Sequence, residues 1–457
     1  MAPLTLPPAF AQIPRHPLLY PHPSPIHPLP ALTKHLLPNP RPQTQITLHA
    51  KREDQASPLA CSGNKYRKLE YLVPDILSPT PQYGGLGPSP ERGSGPSPPP
   101  PPSSSPTTTT TPPQKPTLIT EGALQSNHTV QVAALATHLN LSAVLCLHKT
   151  TGGGWRTAAD PRAFARTGNV QIAKLLGADV RLLDSANDNN PDPIATIMHT
   201  LRTHHGKIPY WIPSGASLHP LGGLGYARCA FEIVAQEEAL QQSQDAPAIQ
   251  QAQSLPTSRY DYIFVACGSG STLGGLIAGF KLLEKMEEQH SQTTAAAAAA
   301  RQQQQHRPPR KIIGVLTSPT SPKAYHEERV LRLARQAAGL IGLDDPQREI
   351  TTADVTVEER FVGAGYGVLD AETKQAMNVM ARTEAVVLDP VYTAKVARAM
   401  MHWVGSGELE EDWRRRRRGR GKSETGPGKL AEEPGDAVNV LFIHTGGQSA
   451  LSAYADV

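Results

Sequence analysis

The sequence predicts an α/β protein built on mostly parallel sheets. Three observations lead there. Short runs rich in Val, Ile and Leu recur along the chain, and most lack the polar alternation of a half-exposed strand. Segments with helical spacing of apolar residues lie between them, which is the rhythm of βαβ units. The length of 457 residues exceeds the size at which one core stops growing, so two domains are expected.

Strands are expected at Thr117–Thr120, Ala143–Leu147, Asp179–Leu183, Pro209–Ile212, Tyr262–Ala266, Ile312–Leu316 and Val438–His444. Helices are expected at 127–139, 169–176, 219–238, 273–286, 322–341, 371–382 and 393–404. The first places Val132, Leu135, Ala136 and Leu139 on one face, and Gly177 stops the second. Another helix should begin at Lys65.

Four stretches break the pattern. Residues 79–116 are rich in Pro, Ser and Thr, and 240–259 in Gln and Ser. Residues 287–310 hold an alanine run and a glutamine run, and 408–436 hold Arg414 to Arg418. Such compositions bury too little apolar surface to offset ordering entropy, so they are expected as disordered insertions in surface loops.

Charge and cysteine content narrow the function. The net charge of +4 comes from six arginines within 414–420; without them 38 basic residues face 40 acidic ones. A near-neutral globular part offers no nucleic-acid footprint, and the arginine run reads as a solvated loop ahead of a nuclear-localisation or RNA-binding patch. Cys61, Cys146, Cys229 and Cys267 are scattered, without a Cys-x-x-Cys pair. That argues against a zinc site or a disulfide scaffold and suits a reducing compartment, the cytoplasm. No apolar run approaches a membrane span. The Pro-rich N-terminus, with Arg15, His16 and Lys34, leaves mitochondrial targeting in second place.

In such folds ligands bind at the carboxyl ends of strands, so the strand-to-helix loops carry the chemistry. Gly268-Ser269-Gly270-Ser271-Thr272 follows one strand and precedes an apolar helix. Small residues let backbone N–H groups converge, and hydroxyls and the helix dipole add to them, which makes a phosphate cup. Gln125-Ser126-Asn127-His128 follows another strand; read alone, Ser126 and Asn127 are a helix cap. Tyr366 lies between glycines, and Tyr392 precedes a helix start; read alone, both are packing residues. Ser62-Gly63-Asn64-Lys65-Tyr66-Arg67-Lys68 fits a solvated helix face or a desolvated amine able to form a Schiff base equally well.

Taken together, these segments are specific. Lys51-Arg52-Glu53-Asp54, Ser62 to Leu72 and Gln125-Ser126-Asn127-His128-Thr129 resemble the family of 1-aminocyclopropane-1-carboxylate (ACC) deaminases and D-cysteine desulfhydrases. Gly168-Asn169-Val170-Gln171, His219 to Gly225, Asp389-Pro390-Val391-Tyr392 and His444-Thr445-Gly446-Gly447 follow in family order. The resemblance covers most of the chain outside the insertions. It implies a tryptophan-synthase-β-like fold: two domains, each a mostly parallel twisted sheet covered by helices, with pyridoxal 5′-phosphate (PLP) in the cleft between them. The large domain would comprise 1–65 and 206–457, and the small domain 66–205. A homodimer and a small amino-acid substrate are implied as well.

Carried over residue by residue, the resemblance makes Lys65 the Schiff-base lysine and proton shuttle. Lys68, Ser269, Gly270, Ser271 and Thr272 would hold the phosphate. Asn127 would bond the cofactor's phenolic oxygen. Ser126 would hold the substrate carboxylate or act as nucleophile or base. Tyr366 and Tyr392 would flank the substrate as acid–base groups. Thr393 would face the pyridine nitrogen. ACC deaminases have glutamate there and just before the first tyrosine, whereas this chain has Thr393 and Gly365. A carboxylate keeps the ring nitrogen protonated and the cofactor a strong electron sink, which opening a cyclopropane requires. Threonine leaves a weaker sink, sufficient for expelling a thiol after α-proton removal. The expectation is therefore α,β-elimination from D-cysteine or a related β-substituted D-amino acid, ahead of ACC deamination and of non-catalytic PLP binding. The His219 to Gly223 run looks closer to the deaminase branch.

Overall fold

The computed structural model of the protein describes residues 4–39, 44–84, 114–148, 161–183, 192–244, 259–293, 307–420 and 436–454. In chain order its strands are β1 (Ile26–Pro28), β2 (Thr44–Arg52), β3 (Pro116–Ala123), β4 (Ser142–His148), β5 (Asp179–Leu183), β6 (Ile208–Ile212), β7 (Tyr262–Cys267), β8 (Lys311–Leu316), β9 (Thr356–Glu358) and β10 (Asp436–His444). They form a six-stranded sheet, β1-β2-β10-β7-β8-β9, and a four-stranded sheet, β5-β4-β3-β6. Every pairing is parallel except β1 with β2. Parallel strands need crossovers, and the helices that supply them cover both faces, as the near-continuous apolar runs require.

On one face of the larger sheet, Leu276, Ile277, Val330 and Ala334 pack from the helices Ser271–Thr293 and Lys323–Leu340. On the other, Met380, Val396, Met400, Trp403 and Trp413 pack from Ala371–Glu384, Thr393–Ser406 and Glu408–Arg420. The smaller sheet is covered by Lys65–Ile76, Asn127–His138 and Gly168–Leu175 on one side, and by Pro193–Thr203 on the other. The loops after β3, β7, β8 and β10 meet between the sheets.

A buried charge cluster ties these parts together. Arg67, in the first turn of Lys65–Ile76, pairs with Glu53 after β2 and with Glu232 in the helix Leu224–Gln244, at 2.8 and 2.9 Å to Glu232. Lys51 of β2 donates to Glu232 at 2.5 Å and to Gln236 at 2.6 Å. Burial would raise the Glu232 carboxyl, but Arg67 and Lys51 outweigh it and hold it well below the usual range. Gly225 permits the helix crossing: a Cβ there would stand 2.1 Å from the Arg67 carbonyl oxygen.

All seven expected strands are present, with ends within two or three residues. β1, β2 and β9 are additional. β2 escaped the sequence pattern because His49, Lys51 and Arg52 read as surface, yet all three are buried. One domain boundary moves. β6 lies after residue 205 but pairs with β3, because it is the return strand of a crossover in the smaller sheet. The expected loop at 408–436 also needs correction. Its first part is the helix Glu408–Arg420, anchored by buried Leu409 and Trp413. Asp412 accepts from Tyr262, Lys311 and Arg415 at 2.6–2.8 Å, so the arginine run has acidic partners within its own helix. Helices likewise continue through 240–244 and 287–293. The remaining parts of the four expected insertions, 85–113, 245–258, 294–306 and 421–435, lie outside the described residues.

Two predictions follow from the buried polar groups. Arg67→Met leaves Glu53 and Glu232 facing each other without their shared cation, and should cost about 3–5 kcal/mol, read as a lower denaturant midpoint. Unchanged stability would mean that water reaches the cluster. His49 is buried with neither ring nitrogen partnered, and burial pushes its pKa down to about 4; His219 is likewise pushed to about 4. The unfolded chain takes up these protons below about pH 6.5 and the folded chain only near 4. Stability should therefore fall across that window, by about 3 kcal/mol for each histidine. A denaturation midpoint that stays flat from pH 7 to 4 would contradict this.

Candidate active site

The loops between the sheets enclose a cavity of about 460 Å³. Lys65 stands at its wall as the first residue of its helix. An antiparallel bridge between Gly63 and Gly446, and the Asn64 N–H donating to the Thr445 carbonyl at 3.1 Å, fix the approach. The Lys65 ammonium donates to Asn64 Oδ1 at 2.8 Å, and Asn64 Nδ2 donates to Thr272 Oγ1 at 3.2 Å. Burial pushes the Lys65 pKa down to about 8, partly offset by Asp389. A substantial neutral-amine fraction is thus present slightly above neutral pH, as nucleophilic or basic chemistry requires.

The glycine-rich loop leads from β7 into the helix Ser271–Thr293. Gly270 takes φ +92°, a conformation open to glycine, with the stem of Arg329 and Val330 against it. Ser269, Gly270 and Thr272 line the cavity. Ser271 and Lys68 lie just behind its wall, fully buried, with Lys68 Nζ donating to Ser271 Oγ at 2.8 Å and to the Gly215 carbonyl at 3.1 Å. Burial, then Lys65, then Arg329 push Lys68 far down. None of the described residues lining the cavity is acidic. Thr317 Oγ1, His326 Nε2 and Arg329 Nε have no hydrogen-bond partner, and all three residues line the cavity. Clustered basic groups, unfilled polar atoms, a helix N-terminus and no carboxylate among the described lining residues fit a phosphate, and the amine of Lys65 fits an aldehyde beside it.

On the opposite wall, Ser126 precedes the helix Asn127–His138, but its side chain makes no capping bond; it faces the cavity instead. This corrects the cap reading. Asn127 Oδ1 accepts from Asn169 Nδ2 at 2.8 Å, and Asn169 is itself held by Gln125 and by Ser449 at 2.6 Å. That orients the Asn127 amide and leaves its N–H groups for an occupant. His128 is the next residue. Thr120 donates its hydroxyl to the Ile212 carbonyl at 2.7 Å, so it can only accept from His128, which puts the imidazole proton on Nε2. Burial, Lys65 and Lys68 keep His128 neutral.

Tyr366 and Tyr392 share a hydrogen bond between their hydroxyls, with ring centroids 6.0 Å apart. Burial pushes Tyr366 up to about 12 and Tyr392 well above its ordinary value, so both hold their protons at neutral pH. Thr393 is placed differently from the expectation. It is fully buried behind the wall, its hydroxyl donating to Asp389 Oδ1 and accepting from the Asp389 N–H, both at 2.7 Å. The Asp389 carboxylate also takes the N–H groups of Val391, Tyr392 and Thr393 at 2.8–3.0 Å. Asp389 therefore acts as the anchor of this turn.

Sequence reasoning missed Thr317, His326 and Arg329. Thr317 directly follows β8 and is findable by the strand-end rule that found the other loops. Arg329, in the second turn of a long amphipathic helix, has no such signal. Asn169 lies in the family-like run Gly168 to Gln171, and nothing in that run marks it as the residue that orients Asn127.

The profile of the family described as pyridoxal-phosphate dependent enzyme matches residues 18–415. A 1-aminocyclopropane-1-carboxylate deaminase of Burkholderia lata is 34% identical over 444 residues, covering 97% of each chain. One of Ralstonia nicotianae is 33% identical over 443 residues, covering 97% of this chain and 96% of its own. Among solved structures, an ACC deaminase homologue superposes with a TM-score of 0.60 at 23% identity, covering 98% of this chain and 96% of its own; that likeness is one of fold. A cradle for phosphate beside a depressed lysine, on a chain matched over nearly its whole length, leads to one conclusion: this protein belongs to the pyridoxal-phosphate-dependent enzyme family.

Proposed function

We propose that the protein is a lyase that converts a small amino acid with a β-leaving group, D-cysteine or a related β-substituted D-amino acid, to pyruvate, ammonia and the released group. The observation that carries this reading is the absence of any acidic side chain among the described residues of the cavity lining, with Thr393 rather than a carboxylate after Tyr392. PLP supplies an electron sink for the substrate's α-carbon, and without a carboxylate to hold its ring nitrogen protonated that sink is moderate. A moderate sink suits loss of a good leaving group. The neutral amine of Lys65 takes the α-proton. Ser126 and the Asn127 amide hold the polar groups of substrate and cofactor. Tyr366 and Tyr392, both protonated, give a proton to the departing sulfur, which leaves as sulfide. The enamine that remains hydrolyses to pyruvate and ammonia, so one water is consumed.

A second reading is supported by the names of the relatives: ACC deamination to 2-oxobutyrate and ammonia. A cytoplasmic setting is supported by four cysteines present as free thiols, three of them buried. Assembly as a homodimer is carried over from the family resemblance, and sedimentation tests it. Among the described residues no helix is long and apolar enough to cross a membrane.

Assaying D-cysteine for sulfide and ACC for 2-oxobutyrate in parallel separates the two readings. Sulfide release is expected; turnover of ACC with none of D-cysteine would overturn the preferred one. Lys68→Met and Arg329→Met should each weaken PLP binding by the apoenzyme about ten- to a hundredfold, the value of one charge-assisted contact. Affinity for pyridoxal, which lacks the phosphate, should stay unchanged, and equal losses for both would show general disruption. The rate of PLP capture should climb as pH rises through about 8, where Lys65 sheds its proton. Stopped-flow absorbance at pH 6.5 and 8.5 reads this directly.

A further inference from the structure

One buried cation near the cavity has no part in holding phosphate. Lys395 lies in the first turn of Thr393–Ser406 and is 0% exposed. Its ammonium donates to three backbone carbonyls: Val362 at 2.6 Å, Thr317 at 3.0 Å and Gly365 at 3.4 Å. Its nearest opposite charges are engaged elsewhere. Asp370 pairs with Arg398 at 3.0 Å, and the Asp389 carboxylate is taken up by its own turn. Burial pushes Lys395 down to about 8, so it still carries its proton at neutral pH. A buried ammonium without an ion-pair partner is costly to keep, and an apolar side chain could fill the volume.

The three carbonyls belong to two segments that end at cavity-lining residues. Val362 and Gly365 bracket the turn that delivers Tyr366. Thr317 follows β8, with its own side chain at the cavity wall. The helix carrying Lys395 begins immediately after Tyr392. One charged group thus joins the Tyr366 turn, the β8 loop and the helix at Tyr392.

We propose that Lys395 is a positioning residue for the reaction: its ammonium fixes the 362–365 turn against the helix start and so keeps the Tyr366 and Tyr392 hydroxyls in contact. The inference rests on the reading of those tyrosines as the proton donors, and its test separates the two.

Lys395→Met and Lys395→Gln are measured for kcat and KM with D-cysteine, alone and combined with Tyr366→Phe. Amide hydrogen exchange is followed over 360–369 and, as a control, over β3. Lys395→Met should lower kcat about a hundredfold, the cost of misplacing a reacting group by about 1 Å, with KM little changed. Lys395→Gln keeps two N–H donors and should recover part of the loss. Added to Tyr366→Phe, Lys395→Met should cost no more than about twofold further, because the two act through one group. Exchange over 360–369 should quicken while β3 stays protected. Full multiplication of the two losses, unchanged exchange over 360–369, or failure of both Lys395 variants to fold would overturn the proposal. Wild-type kcat in Tyr366→Phe would instead sink the role given to Tyr366 and leave the exchange result to judge the hold by itself.

Discussion

The fold depends first on the buried cluster of Arg67, Glu53, Glu232 and Lys51. Two cations and two carboxylates from β2, from the turn after it and from two helices balance one another in the interior. Any one of them alone would be intolerable there, since an uncompensated buried charge outweighs most single contacts. Paired, they lock the helix Lys65–Ile76 to the larger sheet although its apolar face packs on the smaller one. That helix is the bridge between the sheets. Its first residue is the lysine that lines the cavity, so the register of Lys65 is set two residues on, by Arg67.

The cavity shows the opposite electrostatic arrangement. There the basic groups of Lys65, Lys68 and Arg329 stand together with no carboxylate among the described residues of the wall, and polar atoms of Thr317, His326 and Arg329 are left without partners. Native interiors rarely leave such groups unsatisfied without a reason. A phosphate brought by the cofactor would satisfy these groups and favour the charged form of Lys68. One end of the protein is complete in itself and the other is built to be completed, and the same short helix passes through both.

Much of this was legible in the sequence. β5 was read with its ends in place, and the strand-end loops at Ser126 and Gly268 were found because parallel strands bury long apolar runs and leave glycine and small hydroxyls at their tips. β2 was illegible because its buried charges make sense only when Glu232, some 180 residues away, is known to face them. The Arg414–Arg418 run misled for a related reason: composition says surface, but Leu409 and Trp413 anchor the helix and Asp412 answers its charge. Thr393 was located by motif as a cofactor contact, whereas the structure gives its hydroxyl to Asp389. Chain order cannot show which way a side chain turns at the start of a helix.

The pairing of β10 between β2 and β7 also governs the order in which the chain can become a protein. The four-stranded sheet is drawn from one continuous stretch, 116–212, and has every strand it needs once that stretch has left the ribosome. The six-stranded sheet does not. Its β1–β2 pair is made first, its β7–β9 block much later, and the two halves of the sheet join through β10, which follows both in the chain. Until that last strand arrives, β2 and β7 each present an open edge, the kind that recruits other chains. The arrival of β10 thus completes the catalytic scaffold and closes its most aggregation-prone seam in one step.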